Sequence, residues 1–420
     1  MKYYLHFFLF LFLIFSLNFS FAQFGVWEEE VAKTGAPNPR HEAGFVELDG
    51  KFYLLGGRGI KAVNIYDPLS KSWTHGQEPP IELHHFQPIA YEGKIYGIGA
   101  MTGGYPTEAA VPNIIIYDPV ADQWSTGPEI PEARRRGGAG LVLYQNKFYL
   151  VCGIINGHTD GHVNWMDVYD PATDSWQMLA DAPRARDHFQ ASVVDGKIYA
   201  VGGRRSTAKG NVFANTVSEV DVYDIATDSW ITLSQHLPSL RAGSYNAVLD
   251  KEILVLGGES PDQTPAHAEV QALDTRTGNW RSLSNMIQGR HGTGAVWYKD
   301  TLFVASGSGN RGGGPELATQ EKLYFKPNSS TLFPSSNVNP FSIQANPNSQ
   351  DGINIHYNGP QRNLYLQLYS LSGKLLSEKT GVNEFPYKWD IREASLSPGL
   401  FVIKIGNDAV EFSQKIFLEK

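Results

Sequence analysis

Tryptophan recurs at Trp27, Trp73, Trp124, Trp176, Trp230 and Trp280, with spacings of 46 to 54 residues. Seven residues before the last five stand Tyr66, Tyr117, Tyr169, Tyr223 and Leu273, each followed by an aspartate, Asp67, Asp118, Asp170, Asp224 and Asp274. Upstream of each lies an apolar run ending in a pair of small residues. The pairs are Gly56-Gly57, Gly99-Ala100, Cys152-Gly153, Gly202-Gly203, Gly257-Gly258 and Ser306-Gly307. Six copies of one unit in register constrain the chain more than any composition does. A unit of this size cannot bury its own apolar face and must stack on its neighbours.

Each unit reads as four strands, a to d. An apolar strand a runs into a turn such as Asp49-Gly50 or Asp195-Gly196. Strand b is the aromatic run into the small pair, strand c ends at Tyr-Asp, and a short turn leads to strand d at the tryptophan. The glycine content (42 residues) and the aromatic fraction (12%) suit short strands joined by tight turns. The small pair, tyrosine and tryptophan at this spacing resemble the kelch repeat, and the resemblance covers residues 24 to about 327. It implies an all-β fold, a six-bladed kelch β-propeller with one four-stranded blade per copy. The sixth copy has no tryptophan after Lys322-Leu323-Tyr324-Phe325, whereas Trp27 precedes the first copy with no strands of its own. Both fit if the N-terminal strand around Val26-Trp27 completes the last blade and closes the ring.

The ends of the chain point outward from the cell. Lys2 precedes an apolar stretch from Tyr3 to Phe21, and Ser20-Phe21-Ala22 places small residues before Gln23. Residues 1–22 therefore read as a secretory signal peptide, with the propeller at 23–327 and export through the inner membrane expected. Residues 328–340 form a polar, proline-containing linker. Residues 341–420 read as a small immunoglobulin-like β-sandwich, with alternating segments at 364–369 and 400–405. Asn346-Pro347-Asn348, Leu371-Ser372-Gly373-Lys374-Leu375-Leu376 and Leu396-Ser397-Pro398-Gly399-Leu400-Phe401 resemble the type A sorting domain of the type IX secretion system of Bacteroidetes. That resemblance implies the secretion machinery as a partner and a secreted or outer-surface location.

Composition narrows the function. A net charge of −8 excludes a general nucleic-acid binder, which needs a basic surface. Cys152 is the sole cysteine, so no disulfide forms within the chain. No P-loop, dinucleotide fingerprint or nucleophile elbow is present in a usable context, and no cofactor is assigned. Cys152 stands at the first small position of the third pair, where an inert core thiol is expected.

The candidate site lies where the d–a and b–c loops share one face. The tyrosine position follows the second small residue by 9 residues in the first copy and by 15 to 20 in the others. Loops of variable length on a rigid scaffold are where binding usually resides. Reading back from the a–b turn gives Arg40, Leu83, Arg136, Arg186, Arg241 and Arg290. Next come His41, His84, Gly137, Asp187, Ala242 and His291, then Glu42, His85, Gly138, His188, Gly243 and Gly292. Equivalent blades would bring five arginines to one opening, with histidines and acids among them. Guanidiniums grip carboxylates, phosphates or sulfates through paired hydrogen bonds, so an anionic ligand is expected there. Tyr105 and Trp165 in nearby loops offer stacking surfaces.

Two readings of function follow. One is a binding protein for an extracellular anionic glycan or an acidic protein segment. The other is an enzyme acting on acidic sugars, a lyase, or a mutarotase or epimerase similar to the six-bladed kelch sialic-acid mutarotases. There His188 or His85 acts as general base, Glu42 assists, and Arg186 and Arg241 hold the carboxylate. No metal is assigned: His41, His84, His85, His188 and His291 could gather around one, but a ring of arginines beside them opposes a cation. The His158-Thr159-Asp160-Gly161-His162 run offers His158, Asp160 and His162 as ligands from an extended segment, and a polar turn has the same pattern.

Overall fold

A computed structural model describes residues 25–207, 211–325, 341–345, 353–357, 363–370, 375–385, 387–390, 399–406 and 411–418. The chain divides into two compact units, Met1–Asn328 and Ser329–Lys420. The expected signal segment and linker, and most of the sorting-type motifs, lie outside the described residues.

The first unit carries six four-stranded antiparallel sheets among the described residues, one per repeat. The first blade comprises Ala43–Leu48, Lys51–Gly56, Asn64–Asp67 and Ser72–His75, paired in that order. The innermost strands touch in a closed cycle from the first blade through the sixth and back to the first. The sixth sheet consists of Ala295–Tyr298, Thr301–Ala305, Gln320–Tyr324 and, as its outer strand, Val26–Glu29. In this pairing Trp27 stands opposite Leu323. That is the register in which Tyr66, Tyr117, Tyr169, Tyr223 and Leu273 face Trp73, Trp124, Trp176, Trp230 and Trp280.

The repeat signature has a local cause. The aspartate after the tyrosine accepts backbone N–H bonds from the c–d turn, as Asp67 does from Leu69 and Ser70 and Asp118 from Val120 and Ala121. Stacking follows, and six apolar clusters each join two neighbouring blades. Each inner strand b is packed on both faces, so it is buried and apolar along its length instead of alternating, whereas the outer strand d is largely exposed.

Two glutamines tie the axis together. Gln87 Oε1 accepts from Leu141 N and Ala191 N in the third and fourth blades. Gln190 Oε1 accepts from Asn246 N, and its Nε2 donates to Thr293 O.

The second unit holds a three-stranded sheet of Phe341–Ala345, Ile353–Tyr357 and Tyr387–Trp389, and a four-stranded sheet. The latter is ordered Leu375–Val382, Leu364–Ser370, Gly399–Gly406, Glu411–Leu418. Residues of both sheets, including Ile353, Trp389, Leu366 and Ile403, share one apolar cluster. No helix among the described residues is long and apolar enough to cross a membrane.

Trp27 is buried between the fifth and sixth blades, and its Nε1 donates to Ser284 O at 2.9 Å. Trp27→Ala is expected to cost about 3–5 kcal/mol, the usual cost of truncating a buried aromatic. Urea unfolding of the full chain followed by far-UV circular dichroism measures this. Val31→Ala, at a side chain 67% exposed, serves as the control and should shift stability by no more than about 0.5 kcal/mol.

Candidate functional site

The three residues leading into strand a occupy three different environments, and the first departs from expectation. Arg40, Arg136, Arg186, Arg241 and Arg290 are fully buried inside their blades. Each donates to a carbonyl of its own strand b or of the small pair. Arg40 Nη1 reaches Gly56 O at 2.9 Å, Arg136 Nε reaches Cys152 O at 2.6 Å, and Arg186 Nη1 reaches Gly202 O at 2.9 Å. Arg241 Nη2 reaches Val255 O at 3.0 Å and Arg290 Nη1 reaches Ser306 O at 2.9 Å. Arg136, Arg186 and Arg290 also pair with Asp167, Asp221 and Glu321 on strand c. The expected ring of guanidiniums around the opening does not form.

The physical reason lies in the small pair. Both its residues take positive φ in most copies, as at Gly56 (65°) and Gly57 (97°), and this turns carbonyls away from the ladder. The guanidinium satisfies them, because five fixed donors can bridge several acceptors at once. Burial lowers the guanidiniums of Arg40 and Arg241 to about 10, so both remain charged at neutral pH. Leu83 takes this position in the second blade and is buried as a plain apolar residue.

The second position pairs with the residue after the small pair. Isolated bridges join His84 to Met101, Gly137 to Ile154, Asp187 to Arg204, Ala242 to Glu259 and His291 to Ser308, while Arg58 N donates to His41 O.

The third position forms a ring around the axis. Glu42, His85, Gly138, His188, Gly243 and Gly292 all take left-handed φ, between 54° and 65°. Their backbones are bonded in sequence. His85 N donates to Glu42 O, Gly138 N to His85 O, His188 N to Gly138 O, Gly243 N to His188 O and Gly292 N to Gly243 O. Ala43 N closes the circle on Gly292 O. Glycine fills three of the six places. A Cβ at Gly292 would lie 2.6 Å from Glu42 N. Glu42, His85 and His188 adopt the same conformation at a cost of roughly 1–2 kcal/mol each. Strain of this kind persists where surrounding structure enforces it and clusters at functional sites.

All six ring residues line one narrow axial cavity of about 40 Å³, with Phe86, Phe189 and Gln190 among its walls. A buried polar network surrounds it. His85 Nε2 lies 3.1 Å from Glu42 Oε2, and His291 Nε2 lies 3.7 Å from Glu42 Oε1 and 3.4 Å from Glu259 Oε2. Asp187 Oδ1 lies 2.5 Å from His188 Nδ1 and accepts from Ser206 Oγ, and Arg204 pairs with Glu259. His84 and His85 approach through their Nδ1 atoms at 2.6 Å. His41 stands at the edge, 2.8 Å from Glu316, which Lys61 also holds.

His158 comes in from the third blade's loop. Its Nε2 is 2.9 Å from His188 Nε2, and its Nδ1 is 2.9 Å from Glu108 Oε1. The two other members of the His-x-Asp-x-His run stay outside. Asp160 and His162 are exposed on strand c, opposite Asn156 and Ile154, and Asp160 accepts from Asn156. Tyr105 is 61% exposed and stands edge-on to His158. Trp165 is half-buried, with the Arg134 guanidinium 4.4 Å over its ring, so that face is taken. Cys152 is a buried thiol whose pKa burial raises to about 11, which keeps it protonated and inert.

The carboxylates of this network stay ionised although burial opposes their charge. His291 and Arg204 hold Glu259 at about 2, His291, His188 and His41 keep Glu42 low, and the His188 bond keeps Asp187 low. Burial, then Arg204 and His158, hold His188 down to about 4 against the pull of Asp187. Burial also keeps His85 well below the usual imidazole range. His188 and His85, which burial keeps neutral at neutral pH, can each pass a proton or hold a cation beside these carboxylates. Within this network every guanidinium and ammonium is already paired: Arg58 with Glu108, Arg204 with Glu259, Lys61 with Glu316.

Sequence reasoning missed Arg58, Glu108, Arg204, Ser206, Glu259 and Glu316. Three of them were marked. The residue after the small pair reads Arg58, Met101, Ile154, Arg204, Glu259, Ser308, and charges stand out in a position continuing an apolar strand. Glu108, Ser206 and Glu316 lie in loops of unequal length and carried no such sign.

Arg290→Met breaks the buried pair with Glu321 and should cost about 3–5 kcal/mol in urea unfolding of the full chain. Arg290→Lys should not restore stability, because three donors on one ammonium nitrogen cannot replace four hydrogen bonds spread over two guanidinium nitrogens, to Ser306 O, Thr319 O, Thr319 Oγ1 and Glu321.

Comparison with known proteins agrees with this architecture. Residues 13–260, more than half of the 420-residue chain, match the Attractin/LZTR1 beta-propeller family. The chain is 29% identical over 301 residues to Kelch-like protein terF of Aspergillus terreus, covering 67% of this chain and 64% of that one. It is 24% identical over 283 residues to human Kelch-like protein 23, covering 65% of this chain and 46% of that one. The chain thus spans less than two thirds of the length of these relatives. Among solved structures it resembles "Structure of YjhT", with a TM-score of 0.58 and 13% identity over 68% of this chain and 95% of that one. A repeat that folds into one four-stranded sheet, stacked six times about a bonded axial ring, together with the family match, places this chain among the kelch-repeat β-propellers of the Attractin/LZTR1 family.

Proposed function

We propose that this chain is an exported binding protein whose propeller takes an extracellular protein segment on the face bearing the b–c loops. The observation that carries this reading is the division of labour in each blade. The repeat residues are spent on holding the scaffold, while loops of unequal length gather around the axial opening and present the exposed Tyr105, with Phe213 half-buried in another of them. Phe213 stands beneath the guanidiniums of Arg204 and Arg311, at 5.5 and 5.7 Å. Rigid aromatic side chains in varied loops on a stiff frame supply contact area at low entropic cost.

An anionic glycan or a strongly acidic segment is the narrower version of this reading. Burial of the five arginines removes its main support, so charge is not what selects the ligand here. The same burial weakens the acidic-sugar enzyme, since Arg186 and Arg241 are inside their blades and cannot clamp a substrate carboxylate. Export rests on the N-terminal apolar stretch with its small-x-small site. The type IX sorting role of residues 341–420 rests on motif resemblance, and it makes the secretion machinery the partner of that domain.

The test is binding of the full chain, without its first 22 residues, to arrays of extracellular proteins and of acidic and neutral glycans at two salt concentrations. Binding to proteins, weakened roughly tenfold or more by Tyr105→Ala with Phe213→Ala and insensitive to salt, is the expected result. Salt-sensitive binding to acidic glycans alone would overturn the protein-segment reading.

A further inference from the structure

We propose that His85, His158 and His188 form a binding site for one divalent transition-metal ion, zinc in the first instance, at the mouth of the axial cavity. One ring nitrogen from each of the three lies within 4.8 Å of the others. The ring centroids are 4.5 to 5.1 Å apart, and none of the residues is more than 5% exposed. They arrive from three separate parts of the chain. Two sit at left-handed positions of the axial ring, where a side chain is strained and glycine would be easier.

The tautomers follow from the neighbours. Asp187 accepts from Ser206 N and Ser206 Oγ, so it is an acceptor toward His188 Nδ1, which must carry the proton. His188 Nε2 is left with its lone pair. Glu108 accepts from Arg58 and from His158 N, and its Oε1 lies 2.9 Å from His158 Nδ1, which has no hydrogen-bond partner of its own; the nearby carboxylate favours the proton on that nitrogen. The two free Nε2 lone pairs then face each other at 2.9 Å. His84 Nε2 donates to Gly103 O, so its Nδ1 accepts from His85 Nδ1. That leaves His85 Nε2 buried without a hydrogen-bond partner and 3.1 Å from a Glu42 carboxylate oxygen.

Two lone pairs thus face each other, and in the same cluster of rings a third stands beside a carboxylate with no donor to meet it. A single shared proton relieves one such pair. A metal ion relieves all three, with bonds of about 2.0–2.1 Å that would set the nitrogens roughly 3.3 Å apart. The surroundings match such an ion. Each imidazole is oriented by a partner on its far nitrogen, Asp187, Glu108 or His84, as metal-bound histidines usually are. Arg58 pairs with Glu108 and Arg204 with Glu259, while Glu42 and Asp187 face imidazoles, so negative charge is available beside the histidines to stabilise a cation. Imidazole ligands suit zinc, copper or nickel over magnesium or calcium. Three protein ligands leave a position open toward the cavity that His85 and His188 also line.

The experiment uses the full chain without its first 22 residues and without a histidine tag, stripped by chelator and titrated with zinc and with cobalt(II). Calorimetry should show one equivalent of zinc, cobalt should give the intense visible absorption of a tetrahedral site, and zinc should raise the unfolding temperature. His158→Ala removes a loop ligand without touching the axial ring, and should weaken binding more than about 100-fold while the circular dichroism stays native. Glu108→Gln should weaken it roughly 10- to 100-fold. His162→Ala should leave it unchanged. No uptake by the native chain at micromolar zinc would overturn the proposal. So would full binding by His158→Ala, or binding lost in His162→Ala in its place.

Discussion

Six backbone hydrogen bonds around the axis hold the centre of this molecule, and most of what is unusual about it depends on them. Each bond joins one blade to the next through a residue in left-handed conformation, and the last closes the first blade on the sixth. A residue in this conformation turns its N–H and C=O along the ring instead of along its strand. The circle therefore satisfies polar groups that would otherwise be stranded at the crowded inner ends of six sheets. Glycine serves this need most cheaply. A histidine or glutamate there meets the same backbone requirement at extra cost and gains a side chain directed at the axial cavity.

Behind the ring, the buried arginines solve the same accounting problem one layer out. The left-handed small pair ends strand b abruptly and leaves carbonyls with no ladder partner. An arginine entering from the neighbouring d–a segment supplies several donors from one side chain. Its charge is tolerable because carbonyls and, in three blades, a strand-c carboxylate face it. Removing one partner of such a pair costs far more than the pair contributes net, because the other charge stays buried. The arginine is thus bound into the blade, and the chemistry of the opening passes to its sequence neighbours.

Much of the fold was legible before any coordinates. Trp27 without strands of its own and Leu323 without a tryptophan identified the closing pair, and the two face each other across the last sheet. The tyrosine-aspartate pair announced the c–d turn because its hydrogen bonds are made within a few residues. The candidate site was half legible. The ring positions were found in register, and His84, His85, Asp187, His188, His291 and Glu42 do converge. Their arginine companions were misread, since a sequence shows that a charge recurs beside an opening and not which way its side chain runs.

Sequence alone determined the repeat and the blade, because both are written in hydrogen bonds and turn preferences repeated inside units of about fifty residues, and the closure, because the strand that the last unit lacks stands without partners ahead of the first. Tertiary structure decided which side chains meet. His158 reaches His188 across thirty residues and Glu108 across fifty, from loops whose lengths differ between copies. Residues that distant share no local period, so their encounter is set by the closure of the ring and by the paths of the loops above it.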